Sequence, residues 1–250
     1  MKDETFESVR YRSFPATGAV ELADHSAVDV QKVSNSALAP SPRQARAPSF
    51  YGRFLKRALD LTLVVISAPF SISLIGFCAL ALWFEGGNPF YRQARLGKNG
   101  KMFSILKLRT MVHDADAVLE ACLANDPEMR REWDTIQKLT NDPRITPLGR
   151  ILRKVSIDEL PQLWNVLKGE MSLVGPRPMM PFQLKLYGNS SAYFSLRPGI
   201  TGMWQVSARN SERFSYRNEI DREYEKSVSF LTDLVILVKT VGVVLRPTGH

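Results

Sequence analysis

The hydrophobic pattern changes abruptly near residue 61. Up to about residue 50 no apolar periodicity is sustained, and SNSALAPSPRQARAPS (34–49) is rich in Ser, Ala and Pro. Such a composition buries too little apolar surface to offset the entropy of ordering. Residues 1–50 are therefore expected to be a disordered basic tail, with 51–250 carrying the chemistry. Then Leu61–Phe84, LTLVVISAPFSISLIGFCALALWF, runs 24 residues without a charge between Asp60 and Glu85. As a helix it reaches roughly 36 Å, enough to cross a hydrocarbon core of about 30 Å. Pro69, near the middle, removes a backbone donor and bends a helix. Ser67 and Ser71 are placed to bond carbonyls freed by the bend. Arg43, Arg46, Arg53, Lys56 and Arg57 lie upstream, and Arg92, Arg95, Lys98 and Lys101 lie downstream. Cytoplasmic flanks are the ones enriched in Lys and Arg, so both ends ask for the same side. A helix over about 54–85 that dips in and returns meets this demand; a single span with two basic flanks is the alternative.

Beyond Glu85 the period drops to two. FYRQARLG and MFSILKLRT around Asn99-Gly100 predict a β-hairpin. On its second strand Phe103, Ile105, Lys107 and Arg109 share a face, and the two cations either converge on one anion or form a solvated strand end. Helical spacing returns in HDADAVLEACLAN and in DPEMRREWDTIQKL, where Asp126 is the predicted N-cap and Pro127 opens the first turn. Thr146-Pro147 opens PLGRILRKV, with Arg150 and Arg153 on one side. In the last apolar segment, 230–245, Asp233 and Lys239 make a poor span. Phe230, Leu234, Leu237, Val238, Val241 and Val244 there suit a helix packed on the domain or lying at a membrane interface. The fold class expected is α+β, mostly helical.

Composition narrows the partners. A net charge of +8 over 250 residues points to anions, but no nucleic-acid module accompanies it, so no nucleic-acid partner is expected. Cys78 and Cys122 lack metal-ligand spacing, and the three histidines are scattered, which disfavours a disulfide framework, a zinc site and histidine-centred catalysis.

One stretch concentrates charge in an unusual order: SIDELPQLWNVLKGEMSLVGPRP, residues 156–178. Ser156-x-x-Glu159 matches a capping box. Pro161 would then fall inside the first turns, so the alternative starts the helix at Pro161 and leaves Asp158 and Glu159 in the turn before it. Two adjacent carboxylates with Arg153 upstream and Arg177 between Pro176 and Pro178 downstream form a phosphate-handling set. Magnesium takes one or two carboxylates plus substrate phosphates. Arginine binds phosphate through a planar fork, and the flanking prolines reduce the backbone entropy lost on binding. An aspartate can also attack phosphorus and hold the product covalently.

The blocks RFLKRALDLTLVVISAPFSI, FYRQARLGKNGKMFSILKLRTM, NDPRITPLGRILRKVSIDELPQLWNVLKGEMSLVGPRP and RPGITGMWQVSARN follow one another from about Arg53 to the C-terminus. In them the chain resembles the bacterial sugar transferases, monotopic polyprenyl-phosphate phosphoglycosyl transferases, and within these the short branch that starts exopolysaccharide repeat units. The resemblance implies transfer of a hexose 1-phosphate, galactose or glucose, from a UDP-sugar to undecaprenyl phosphate, with release of UMP. It implies Asp158 as nucleophile, Glu159 assisting with Mg2+ and the lipid phosphate, and Asp158 and Glu159 as metal ligands. Arg153 and Arg177 would bind phosphate, with Lys107 and Arg109 near the site. The family's Ser-Pro helix break corresponds to Ser67-Ala68-Pro69. A re-entrant helix bent at Pro69, a short hairpin and amphipathic interfacial helices would hold the domain on the cytoplasmic face of the bacterial inner membrane, among its lipids. Downstream glycosyltransferases or a small regulatory membrane protein are further partners to expect. The rival class is a membrane-tethered, non-catalytic scaffold of a polysaccharide export complex.

Overall fold

The computed structural model describes residues 50–136, 139–207 and 216–245. The tail expected over 1–50 lies outside them except for Phe50, as do residues 208–210 of the RPGITGMWQVSARN block. A π-helical turn, Tyr51–Leu55, leads into α1, Lys56–Glu85, one continuous helix through Pro69. Tyr51–Glu85 is long and apolar enough to cross a membrane, with a mean hydropathy of 2.3 over an 18-residue stretch of it. Near the proline, serine hydroxyls return to the helix backbone. Ser67 Oγ donates to Val64 O at 3.1 Å, and Ser71 Oγ to Ser67 O at 2.9 Å and Ala68 O at 3.3 Å.

Only one narrow face of α1 is buried. Asp60, Val64, Ser71, Cys78 and Leu82 point inward, while Val65, Ile66, Phe70, Ile72, Phe77, Leu80, Trp83 and Phe84 are exposed. Both ends of the helix are tied to the same body. At the start, Arg57 donates to Val166 O at 2.6 Å and Leu167 O at 3.0 Å, and Asp60 Oδ1 accepts Leu173 N at 3.0 Å. At the end, Arg109 Nη2 donates to Leu82 O at 3.2 Å and to Gly86 O.

The predicted hairpin follows: β1, Phe90–Leu96, pairs antiparallel with β2, Met102–Leu108. Asn99 (φ 58°) and Gly100 (φ 74°) both adopt left-handed backbone at the turn, which is why an Asn-Gly pair stands there. Across the strands Tyr91, Gln93 and Arg95 face Lys107, Ile105 and Phe103. Ile105 then joins Val64 of α1 with Val166 and Met171, while Leu108, on the opposite face, joins Cys78 and Leu82 with Leu152. The two faces of one short strand thus organise two cores.

Helices α2 (Ala115–Asn125) and α3 (Pro127–Ile136) form a hairpin with its own small core of Leu119, Leu123 and Leu139. Asp126 caps α3 as expected, accepting from Glu128 N and Met129 N. Helix α4, Pro147–Lys154, begins at Thr146, whose Oγ1 accepts Gly149 N at 2.9 Å. After a 3-10 turn over Ile157–Gln162 come α5 (Leu163–Lys168) and β3 (Ser172–Val174). Short helices α6 (Leu184–Tyr187) and α7 (Ser191–Ser195) precede β4, Gly199–Thr201, which pairs parallel with β3. Gly175 and Gly199 touch backbone to backbone there, too close for a Cβ on either, which draws the Pro176-Arg177-Pro178 segment against the strand pair. The chain continues through α8 (Met203–Ser207) and α9 (Tyr216–Ser227) to α10, Phe230–Leu245.

In α10 only part of the apolar spacing goes inward. Ile236 is buried and Leu237 packs beside it, but Phe230, Leu234, Val238 and Val241 are exposed together with Leu231 and Val235. Packing on the domain and an apolar outer stripe therefore coexist in one helix. The described chain is mostly helical, with two short sheets and one long apolar helix.

Candidate active site

The acid pair sits in a turn rather than in a helix cap. Ser156 has left-handed backbone (φ 56°), its side chain caps nothing, and Asp158 and Glu159 fall in the 3-10 turn with Pro161. The capping box fails because Pro161 carries no N–H to continue an α-helical ladder. Asn165, buried at the start of α5, fastens this turn to the hairpin. Its amide accepts Leu106 N at 3.1 Å and donates to Ser104 O at 2.8 Å on β2, and to Glu170 Oε2 at 2.7 Å. Two of these bonds clasp the edge of β2 and the third braces Glu170, so the turn that carries the carboxylates is held beside β2.

The two acids are treated differently. Glu159 Oε1 accepts Lys107 Nζ at 2.7 Å and Arg177 Nη2 at 3.4 Å. Burial would push its carboxyl up, but Arg177 and Lys107 outweigh that and bring it down to about 2. Asp158 is 8% exposed, and among the described residues no hydrogen-bond donor reaches its side chain. Burial raises its pKa above the ordinary aspartate range; Lys107, Arg153 and Arg177 pull it down while Glu159 pushes it up. A buried, weakly solvated carboxylate facing three cations is a better nucleophile than one clamped by hydrogen bonds.

The structure brings Lys107, Arg153 and Arg177 around the pair. Lys107 comes from β2, on the face predicted by alternation. Arg153 comes from the last turn of α4, where its Nε donates to Thr110 Oγ1 at 2.7 Å. Arg177 comes from the proline-bounded segment after β3. Arg109 is not brought there. It lies beyond the end of β2, where strand alternation no longer holds, and its guanidinium binds the carbonyls at the end of α1 and His113. Ser67 and Pro69 are likewise in α1 and take part in the helix, not in this cluster.

Three residues join the site without having been singled out from the sequence. Arg95 and Gln162 line a small pocket with Ile105, Lys107, Glu159, Arg177, Pro178 and Ile200. The period-two pattern on β1 gives the signal for Arg95, since Tyr91, Gln93 and Arg95 share one face. Asn165 gives no signal in a single sequence, because its role depends on the packing of α5 against β2.

A divalent cation fits the acids in one respect. Both cations on Glu159 use Oε1, which leaves Oε2, and Asp158 has no bonded donor among the described residues. Two carboxylates are the protein share expected for magnesium that also binds substrate phosphates. Among the described residues no group of three or more His, Cys, Asp or Glu gathers to make an all-protein metal site.

Comparisons with known proteins agree on the family. The model for the bacterial sugar transferases matches residues 51–247. The chain is 46% identical over 202 residues to the "UDP-galactose-lipid carrier transferase" of Erwinia amylovora, covering 79% of this chain and 42% of that one. It is 45% identical over 206 residues to the "Undecaprenyl-phosphate galactose phosphotransferase" of Salmonella typhimurium, again 79% of this chain and 42% of the relative. With the "Exopolysaccharide production protein ExoY" of Rhizobium meliloti it shares 41% identity over 210 residues, 83% of this chain and 93% of the other. The chain thus spans under half the length of the first two and nearly all of the third. With almost its whole described body matched, the chain belongs to the bacterial sugar transferase family.

Proposed function

We propose that the protein transfers a hexose 1-phosphate from a UDP-sugar to undecaprenyl phosphate, the first membrane step in assembling an exopolysaccharide repeat unit. The observation that carries this is Asp158: buried, without a bonded donor among the described residues, and surrounded by Lys107, Arg153 and Arg177. In the proposed sequence an Asp158 carboxylate oxygen attacks the phosphorus that bears the sugar. The bond from that phosphorus to the oxygen bridging to UMP breaks, and UMP leaves with the electron pair. An oxygen of undecaprenyl phosphate then attacks the same phosphorus, the acyl-phosphate bond breaks, and Asp158 is restored as a carboxylate. Arg153 and Arg177 bind phosphate oxygens, while Lys107 holds Glu159 ionised and oriented.

Asp158 and Glu159 would hold magnesium together with substrate phosphates. When bound, the ion would offset phosphate charge so that an anionic carboxylate can approach. The names of the relatives favour galactose, with glucose next, since one relative is a "UDP-glucose:undecaprenyl-phosphate glucose-1-phosphate transferase". Residues 51–250 are proposed as the catalytic domain, with 1–50 an appended tail whose six Lys and Arg are balanced by six Asp and Glu.

The finer membrane reading also belongs to this proposal: α1 is re-entrant, and the domain rests on the cytoplasmic face of the inner membrane. Asp60 and Leu82 would be about 33 Å apart along a straight helix, more than the hydrocarbon core, yet both are bonded to the same body. A simple span would carry its two ends to opposite sides. The exposed apolar residues of α1 and the outer stripe of α10 supply a surface for lipid, and the basic balance suits anionic headgroups.

The test is incubation of the detergent-extracted full chain with magnesium, undecaprenyl phosphate and a panel of UDP-sugars, scoring UMP. Release with one hexose, its loss on chelation, and a hydroxylamine-labile label on Asp158 from a UDP-sugar carrying 32P in its β-phosphate are expected. A scaffold without catalytic activity would release no UMP and would keep its function in the D158N variant.

A further inference from the structure

Arg95 has a local balance that the roles assigned above do not explain. It projects from β1 on the same hairpin face as Lys107 and is 9% exposed. Its Nη2 donates to Gln93 Oε1 at 2.5 Å, but its Nε is buried and has no partner among the described residues. Leaving a charged group's donor unpaired inside a protein is costly, and buried polar groups are normally satisfied. Simple packing of the side-chain stem would not require a cation at this place. A structural arginine would also have its donors met by the protein, as Arg57 has with Val166 O and Leu167 O. The one acid lining its pocket, Glu159, is already bonded by Lys107 and Arg177. The pocket lining therefore holds three cations, Arg95, Lys107 and Arg177, against one carboxylate.

Burial, and after it the charge of Arg177, bring the Arg95 pKa down to about 10. An arginine at that value is still cationic at neutral pH, and an arriving anion would relieve both effects. Gln93 fixes one edge of the guanidinium, so less freedom is lost when the remaining donors are used. The geometry is that of an anion site left incomplete by one ligand.

We propose that Arg95 is a phosphate-binding residue of the transfer site, with its guanidinium contacting a phosphate group of a substrate alongside Arg177 and Lys107. This rests on the phosphotransfer reading above. The shared chemistry is a phosphate oxygen, supplied by the diphosphate of the nucleotide sugar or by the phosphate of the polyprenyl acceptor.

The test uses the full chain in nanodiscs, with the R95M and R95K variants. Methionine keeps the apolar stem and removes the charge; lysine keeps the charge and loses the fork. KM is measured for the UDP-sugar at saturating undecaprenyl phosphate, then for undecaprenyl phosphate at saturating UDP-sugar. The thermal shift produced by UDP alone is recorded in parallel. Loss of a charge-assisted bond should raise one KM by about 10- to 100-fold in R95M, with kcat less affected and partial recovery in R95K. A raised UDP-sugar KM with a lost UDP shift assigns Arg95 to the diphosphate; a raised undecaprenyl phosphate KM with an intact UDP shift assigns it to the acceptor. If both KM values and the UDP shift stay at wild-type levels, the assignment is overturned. Should R95M fail to fold, R95K decides in the same way: a raised KM at an unchanged melting temperature supports the role, and an unchanged KM removes it. Failure of the wild type to release UMP from any UDP-sugar would instead strike the reaction, and the UDP shift would still report on Arg95.

Discussion

Two clusters of buried acids and cations are built on opposite principles. In the first, Asp233 of α10 is fully engaged. Its Oδ2 accepts Tyr51 OH at 2.6 Å and Lys56 Nζ at 2.5 Å, and its Oδ1 accepts Tyr224 OH at 2.7 Å. Lys56 also reaches Tyr224 OH at 3.1 Å. The start of α1, the end of α9 and the start of α10 meet there, and every partner is supplied by the protein. In the second, around Asp158, cations outnumber acids, the aspartate has no bonded donor among the described residues, and the Nε of Arg95 is unpaired. A satisfied network fixes a fold. An unsatisfied one stores binding capacity, because the missing ligand brings the absent charge.

The sharpest way to break this contrast is to neutralise each aspartate in turn. D158N keeps shape and volume while removing the charge proposed to attack phosphorus. UMP release should fall by about a thousandfold or more, with the melting temperature unchanged or raised, since a destabilising buried charge is gone. D233A should do the reverse. It strands Lys56 and two tyrosine hydroxyls in a dry cluster, at a cost of about 3–5 kcal/mol of stability. The fraction that remains folded should turn over normally. Urea unfolding in detergent together with the UMP assay reads both. An unstable D158N with normal turnover of its folded fraction would reverse the roles assigned to the two clusters.

What the sequence disclosed follows the same division. The hairpin, the Thr146 and Asp126 caps and the long apolar helix rest on local rules of period and turn chemistry, so one chain suffices to read them. Asp158, Glu159 and Arg177 stood out because their order is hard to place on a solvated surface or in an unpaired core. Arg109 lies past the reach of alternation, since a period of two holds only while the strand lasts, and β2 ends at Leu108. Arg95 obeys that period on β1 but reads in the sequence only as part of a basic flank, because an arginine on a strand looks like a solvated one until its burial is known. Asn165 and the Asp233 cluster were invisible, since Tyr51 and Asp233 are joined across 182 positions of sequence. No local pattern encodes a contact of that separation.

A third buried acid tests whether a protein-supplied network suffices to keep a carboxylate comfortable. Asp221 of α9 accepts a hydrogen bond from Tyr187 OH. Burial nonetheless pushes its pKa from 3.8 up to about 6, against the opposing effects of the Tyr187 bond and the Arg217 charge. A folded-state pKa above the unfolded one means that folding favours the proton. Stability from this group is therefore full below pH 3.8 and declines as pH rises from about 4 to about 6, by about 3 kcal/mol in total. Above pH 6 the loss is constant. Relative to D221N, the wild type should thus lose ground across that window and then run parallel to it, as measured by urea midpoints at pH 4, 5, 6 and 7. Parallel curves from pH 4 upward would show that Tyr187 and Arg217 compensate Asp221 as completely as Asp233 is compensated.

The smallest effect belongs to an ion pair of the ordinary surface kind. Arg130 Nε lies 3.1 Å from Asp134 Oδ2 one turn along α3, and both side chains are more than half exposed. Water screens the pair and the two flexible side chains lose entropy in meeting, so R130A should cost less than about 0.5 kcal/mol. Added salt should shrink even that difference, because the Debye length falls to about 3 Å at 1 M. UMP release should stay at the wild-type level, as α3 packs on the small core of Leu119, Leu123 and Leu139 rather than on β2. A fall in turnover would mean that the α2–α3 hairpin carries part of the site. The chemistry would then no longer be confined to the hairpin face, the 3-10 turn and the arginine held between prolines.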